Sequence, residues 1–175
     1  MKKITSLLLI AVLLISAALG LTSCGGEEGM TFDEFVEEMA LDDISFSDDG
    51  NGTYTGYESP EVSVAPTRFT VKCNDKNIVN SVEIECEDID MSWMESTDML
   101  LSSLKISTND PDEKYRALSC LTYFDSLIDT VSGEYQSEDV AAEIIVNSSE
   151  KTFGDWKVSS VKGENTVTLK ATLNK

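Results

Sequence analysis

A chain of 175 residues with 13 basic side chains, 32 acidic ones and no histidine is strongly acidic, at a formal charge of −19. The missing histidine removes the commonest general base, the commonest metal ligand and every Ser-His or Cys-His catalytic pair. The charge excludes nucleic acid as a partner and points instead to cations or to a basic protein.

Lys2 and Lys3 open the chain, and an apolar run follows from about Leu7 to Leu21. That run ends abruptly at Cys24-Gly25-Gly26, too short for a comfortable spanning helix of about 20 apolar residues. It reads as a secretory signal. Its last residues, Leu21-Thr22-Ser23-Cys24, resemble the lipobox of bacterial lipoproteins: an aliphatic residue, two small ones, then the modified cysteine. The resemblance covers the first 24 residues. It implies that residues 1–23 are removed and that Cys24 becomes a thioether-linked diacylglyceryl N-terminus. The product would then sit on the extracytoplasmic face of a cell membrane, or face a periplasm. Stable anchoring takes more than one acyl chain, which such a lipid supplies. The alternative is a secreted protein cut near Ser23, with Cys24 an ordinary thiol.

Loss of residues 1–23 removes two lysines and no acid, leaving 152 residues with a formal charge of −21. That length suits one domain with one core. We expect a lipidated cysteine and tether over 24–30 and a single α+β domain over 31–175.

A first helix is predicted over about 32–41. Thr31 and Glu34 form a capping box, and Phe32, Phe35, Val36 and Met39 recur at helical spacing. Two short strands around Ile44-Ser45-Phe46 and Thr53–Tyr57 flank a turn-rich stretch, Asp48–Gly52. A hairpin is predicted over 67–87, with Phe69, Val71 and Cys73 alternating against Ile78, Val82, Ile84 and Cys86. A two-residue turn at Asp75-Lys76 would set Cys73 opposite Ile78, Phe69 opposite Val82 and Arg68 opposite Glu83. Asn80, opposite Val71, is then the polar exception on an apolar face.

Three helices follow, over about 92–105, 111–132 and 138–147. The middle one starts at Asp110-Pro111. It carries the stripe Tyr115, Leu118, Leu121, Phe124, Leu127, Ile128 and Val131, and it ends at Gly133. A last hairpin turns at Gly163-Glu164, setting Val158 opposite Leu169 and Trp156 opposite Ala171. The predicted order is α-β-β-β-β-α-α-α-β-β: an antiparallel sheet of N- and C-terminal hairpins, packed on one face by central helices.

With Cys24 lipidated, Cys73, Cys86 and Cys120 remain, an odd number with no CxxC spacing. The predicted register separates Cys73 from Cys86 by roughly 26 Å, so they cannot bridge each other. Cys120 could meet either one across the core.

The sharpest candidate site is Ser47–Glu58. Asp49, Asn51, Gly52 and Glu58 match four positions of the EF-hand loop, and Thr53 would offer a carbonyl. Ser47 stands where aspartate is expected, and Pro60 follows too closely for an exit helix. A polar loop between strands explains the same residues. Glu83, Glu85, Glu87, Asp88 and Asp90 fit the solvated side of a strand, or a docking face for a basic partner. The expected function is a membrane-anchored, non-enzymatic binding module without a cofactor. A calcium-binding or sensing envelope protein using Ser47, Asp49, Asn51, Thr53 and Glu58 is the alternative. A carboxylate-based envelope glycan hydrolase ranks third.

Overall fold

The computed structural model describes residues 29–58, 66–89, 111–136 and 139–174. The signal, Cys24, most of the tether and the helix predicted over 92–105 lie outside them. Residues 1–30 and 31–175 form separate units, and the elements of the fold belong to the second.

The chain forms helix α1 (Phe32–Glu38), then strands β1 (Phe46–Asp48), β2 (Thr53–Glu58), β3 (Thr67–Cys73) and β4 (Val79–Glu87). Helices α2 (Pro111–Ser132) and α3 (Asp139–Asn147) follow, then β5 (Glu150–Phe153), β6 (Trp156–Lys162) and β7 (Thr166–Leu173). All seven strands join one sheet in the order β1-β2-β3-β4-β7-β6-β5. Every neighbouring pair is antiparallel. The domain is therefore mixed α+β. The meander that precedes the long helices and the meander that comes after them meet at β4 and β7.

The capping box at Thr31 forms as its residues require. Glu34 N–H donates to Thr31 Oγ1 at 3.3 Å, and Thr31 N–H donates to Glu34 Oε2 at 2.8 Å. The bond from Thr31 N–H, and after it one from Thr31 Oγ1 to the same Glu34 oxygen at 2.9 Å, hold the Glu34 carboxyl below its usual range. The helix ends three residues before the predicted position. Ala40 turns left-handed at φ 52°. Leu41 N–H then reaches Val36 O at 2.9 Å and Ala40 N–H reaches Glu37 O at 3.0 Å. That is a Schellman ending with alanine where glycine is usual. Helix α3 ends the same way, with Ser148 at φ 45°.

The β3–β4 hairpin differs from prediction by two positions: Phe69 pairs with Ile84, Val71 with Val82 and Arg68 with Glu85. Two one-residue insertions produce the shift. At the turn, Asn74 N–H bonds Ile78 O while Asn77 sits at φ 60°, so the loop holds three residues instead of two. The register then slips once more between Lys72 and Cys73, leaving Asn80 unpaired as a bulge. A bulge removes one residue from the ladder, here the one polar residue that the simple register placed among apolar ones. Beyond the bulge the shift of two keeps every side chain on its own face. Between the turn and the bulge the shift is one, so Cys73 pairs with Val79 in place of Ile78, and Val79 is the buried residue.

The last hairpin moves by two for a related reason. Its turn is Glu164-Asn165, with Gly163 N–H on Thr166 O at 2.8 Å, so Val158 faces Ala171 and Trp156 faces Leu173. Gly163 serves close approach here, since a Cβ would collide with Thr166 Oγ1. Strand β5 is an addition to the predicted order. Its Gly154-Asp155 turn, with Gly154 at φ 54°, is a two-residue hairpin signal that could have revealed it.

Alternate strand residues are buried: Phe69 and Val71 on β3, Val82, Ile84 and Cys86 on β4, Val167, Leu169 and Ala171 on β7. Helix α2 contacts β4, β6 and β7, and α3 contacts β6 and α2. The buried stripe of α2 is Ala117, Cys120, Leu121, Phe124, Leu127, Ile128 and Val131. Two sheet residues reach the last turn of α3: Ser160 Oγ donates to Ile144 O at 2.8 Å and Lys162 Nζ to Val146 O at 3.3 Å. Val146 O is a carbonyl of the kind a helix end leaves open, while Ile144 O takes Ser160 as a second donor beside Ser149 N–H. An aromatic series connects α1 to α2. Phe32 stacks on Tyr54 at 3.8 Å and meets Phe46 edge-on, Phe46 meets Phe69, and Phe69 meets Tyr123 at 5.1 Å.

Candidate interaction surface

Because strand side chains alternate, the residues between the buried ones share the opposite face. The register lines them up in rows. One row reads Tyr57, Arg68, Glu85, Thr168 and Val161 across β2, β3, β4, β7 and β6. The next reads Thr55, Thr70, Glu83, Lys170, Ser159 and Glu150. A third reads Thr53, Lys72, Ser81, Thr172, Lys157 and Thr152. None of these side chains is fully buried.

Hydroxyls dominate this face, and its charges balance. Glu83, Glu85, Glu87 and Glu150 stand against Arg68, Lys72, Lys157 and Lys170. Ion pairs connect Arg68 to Glu87 at 2.9 Å and to Glu85 at 3.9 Å, Lys157 to Glu150 at 2.6 Å and Lys170 to Glu83 at 3.6 Å. The predicted Arg68–Glu83 partnership is thus replaced, because the two-residue shift brings Glu85 opposite Arg68. Its hydrogen bond to Glu87 raises the Arg68 pKa further. Its guanidinium also lies 5.9 Å from the centre of the Tyr57 ring. Tyr57 is 46% exposed and Val161 66% exposed. They mark the two ends of the first row, about 19 Å apart for strands spaced by about 4.8 Å.

The residues of the calcium-loop pattern go to separate tasks. Ser47 Oγ donates to Thr55 O at 3.2 Å. Asp49 Oδ1 accepts from Asn51 N–H at 2.8 Å and Thr53 N–H at 3.1 Å. These backbone bonds, Asn51 first, lower the Asp49 pKa. Asp49 therefore stabilises its own turn. Glu58 lies at the far end of β2, about 17 Å from Thr53 at about 3.3 Å per residue, and accepts a hydrogen bond from Tyr123 Oη. Asp49, Asn51 and Thr53 are together; Glu58 is apart from them. Among the described residues no group of three or more His, Cys, Asp or Glu side chains is placed to hold a metal ion.

The Glu58–Tyr123 contact has no signal in the sequence, since 65 residues separate the partners. Burial, then the bond to Glu58, raises the Tyr123 pKa. All three described cysteines are free and buried. Burial, then Asp48, pushes the Cys73 thiol up to about 11, far from the lowered values of reactive cysteines. No described helix is long and apolar enough to cross a membrane. No family model, curated protein or solved structure matches the chain.

Proposed function

We propose that the chain is a lipid-anchored extracytoplasmic lipoprotein whose domain is a non-enzymatic binding module for a basic protein. The observation that carries the reading is the sheet face formed by the rows through Arg68, Glu83 and Thr168. In the proposed arrangement α2 and α3 cover one face of the sheet and leave the hydroxyl-rich, charge-balanced face free to dock. Mixed polar groups beside an exposed tyrosine suit a non-obligate protein interface.

The excess acid lies elsewhere: Asp33, Glu34, Glu37 and Glu38 on and beside α1, then Asp42, Asp43, Asp48 and Asp49. Such a field raises the encounter rate with a basic partner, while the balanced face supplies the fitted contact. Lipid on Cys24 would hold this acidic domain close to a membrane surface, since few residues separate Cys24 from Thr31.

The test compares wild-type protein, Cys24→Ala and Glu83→Lys in membranes of the native host. Wild type should fractionate with membranes and co-purify a basic protein. Cys24→Ala should leave the membrane fraction. Glu83→Lys should stay there and lose the partner. Unchanged membrane association of Cys24→Ala would contradict the anchor. Unchanged partner recovery with Glu83→Lys would contradict the face.

A further inference from the structure

Two of the three buried thiols face each other across the layer between helix and sheet. Cys86 lies on the buried side of β4, flanked in register by Thr67 of β3 and Val167 of β7. Cys120 lies on the buried stripe of α2, which packs on β4 and β7. Both residues are fully buried. Their side chains are within hydrogen-bonding reach of one another, and Thr67 Oγ1 approaches Cys86 Sγ at 3.9 Å. Cys73 pairs with Val79 at the other end of the hairpin. It is six residues along β3 from Thr67, or about 20 Å at about 3.3 Å per residue.

We propose that Cys86 and Cys120 are a disulfide-forming pair, and that the bond is a latch clamping α2 to the centre of the sheet. The oxidant is a small-molecule disulfide. One cysteine thiolate attacks it, forming a mixed disulfide and releasing one thiol. The second thiolate then attacks the protein sulfur of that mixed disulfide and releases the second thiol. One S–S bond forms in the protein, and two electrons and two protons leave with the reduced donor. Burial excludes the donor from the finished fold and keeps Cys120 protonated, and the thiolate is the reactive species. The latch therefore closes while α2 is still undocked. The latch is independent of the docking face and of the anchor, so it can fail or hold without them.

The experiment uses the full chain carrying Cys24→Ser, which removes the fourth sulfur. The reduced, unfolded protein is refolded in oxidised glutathione or in a reducing buffer, then its thiols are counted in denaturant. Refolding with the donor should leave one thiol, at Cys73, and reduce the intact mass by two hydrogens. Digestion should yield a peptide pair joining Cys86 to Cys120. The oxidised form should melt about 10 °C above the reduced form, since the bond closes a long loop. Adding the donor to the already folded, reduced protein should leave all three thiols. The Cys73→Ser variant should still close the bond, and Cys86→Ser should not. Three titratable thiols after refolding with the donor, or a bridge to Cys73, would overturn the proposal.

Discussion

The ring of Phe46 occupies the space that a side chain at Gly56 would need. The two residues are paired across β1 and β2. A Cβ built on Gly56 would stand 2.7 Å from Phe46 Cε1 and 2.8 Å from Ile44 Cγ2. Phe46 in turn touches Phe32 and Phe69, so it cannot yield without moving α1 or β3. Gly56→Ala should destabilise the domain by about 2 kcal/mol, the scale of overpacking. Chemical denaturation checks it. The double variant Gly56→Ala, Phe46→Leu should be less destabilised than the two single effects added together.

Ala40 gives the opposite expectation. Its φ of 52° is a left-handed conformation that costs an L-residue about 1–2 kcal/mol. Ala40→Gly removes that cost and returns part of it as unfolded-chain entropy. The net should be a gain of about 0.5–1 kcal/mol, read as a small rise in Tm. Ser148→Gly, at the end of α3, should behave alike.

Tyr123 ties α2 to the end of β2 through Glu58. Tyr123→Phe keeps the packing on Phe69 and loses the bond, which should cost about 1–2 kcal/mol at neutral pH. The pH dependence carries a sign. Burial, then Glu58, raises the Tyr123 pKa above its ordinary 10.0, so the folded state retains a proton that the unfolded state releases. Its contribution is complete below pH 10 and declines as pH rises above it. Tm should therefore fall more steeply above pH 10 for wild type than for Tyr123→Phe. Equal slopes would contradict the assigned burial.

Calcium offers a separate check. Asp49 is engaged by Asn51 and Thr53, and Glu58 by Tyr123. Forming a calcium cage from Ser47, Asp49, Asn51, Thr53 and Glu58 would require breaking these bonds and bending β2. Millimolar calcium should leave the Tm of wild type and of Asp49→Ala unchanged relative to chelator. A calcium-dependent rise in wild type that Asp49→Ala abolishes would restore the calcium-sensing alternative.

The Thr31–Glu34 cap and the stripe from Leu121 to Val131 are local, periodic signals, and they make α1 and α2 legible in the sequence. Which residues of β3 and of β4 beyond the bulge face inward is also legible, because alternation fixes the face; beside the turn it is not, since Val79 is buried where Ile78 was expected. Register is not, because a shift of two preserves alternation. The positive φ of Asn77 and the bulge at Asn80 decide it. The end of α1 is hidden for a similar reason, since nothing in the identity of Ala40 announces a left-handed turn. The proposed docking face is the least legible feature. Glu83 and Glu85 read as the solvated side of a strand. Arg68 belongs to the same hairpin, but their neighbours Thr168 and Lys170 come from a strand far away in sequence and meet them only through the pairing of β4 with β7.

Thr168 stands at the centre of that face, paired with Glu85 on one side and Val161 on the other. The most direct measurement places a photo-crosslinking side chain at position 168 of the full chain, expressed in the native host, and irradiates its membranes. The predicted result is one discrete adduct with a basic protein, diminished by Glu83→Lys and absent when the crosslinker is moved to buried Leu169. A membrane-bound protein that yields no adduct from position 168 would contradict the assignment of this face as the binding surface.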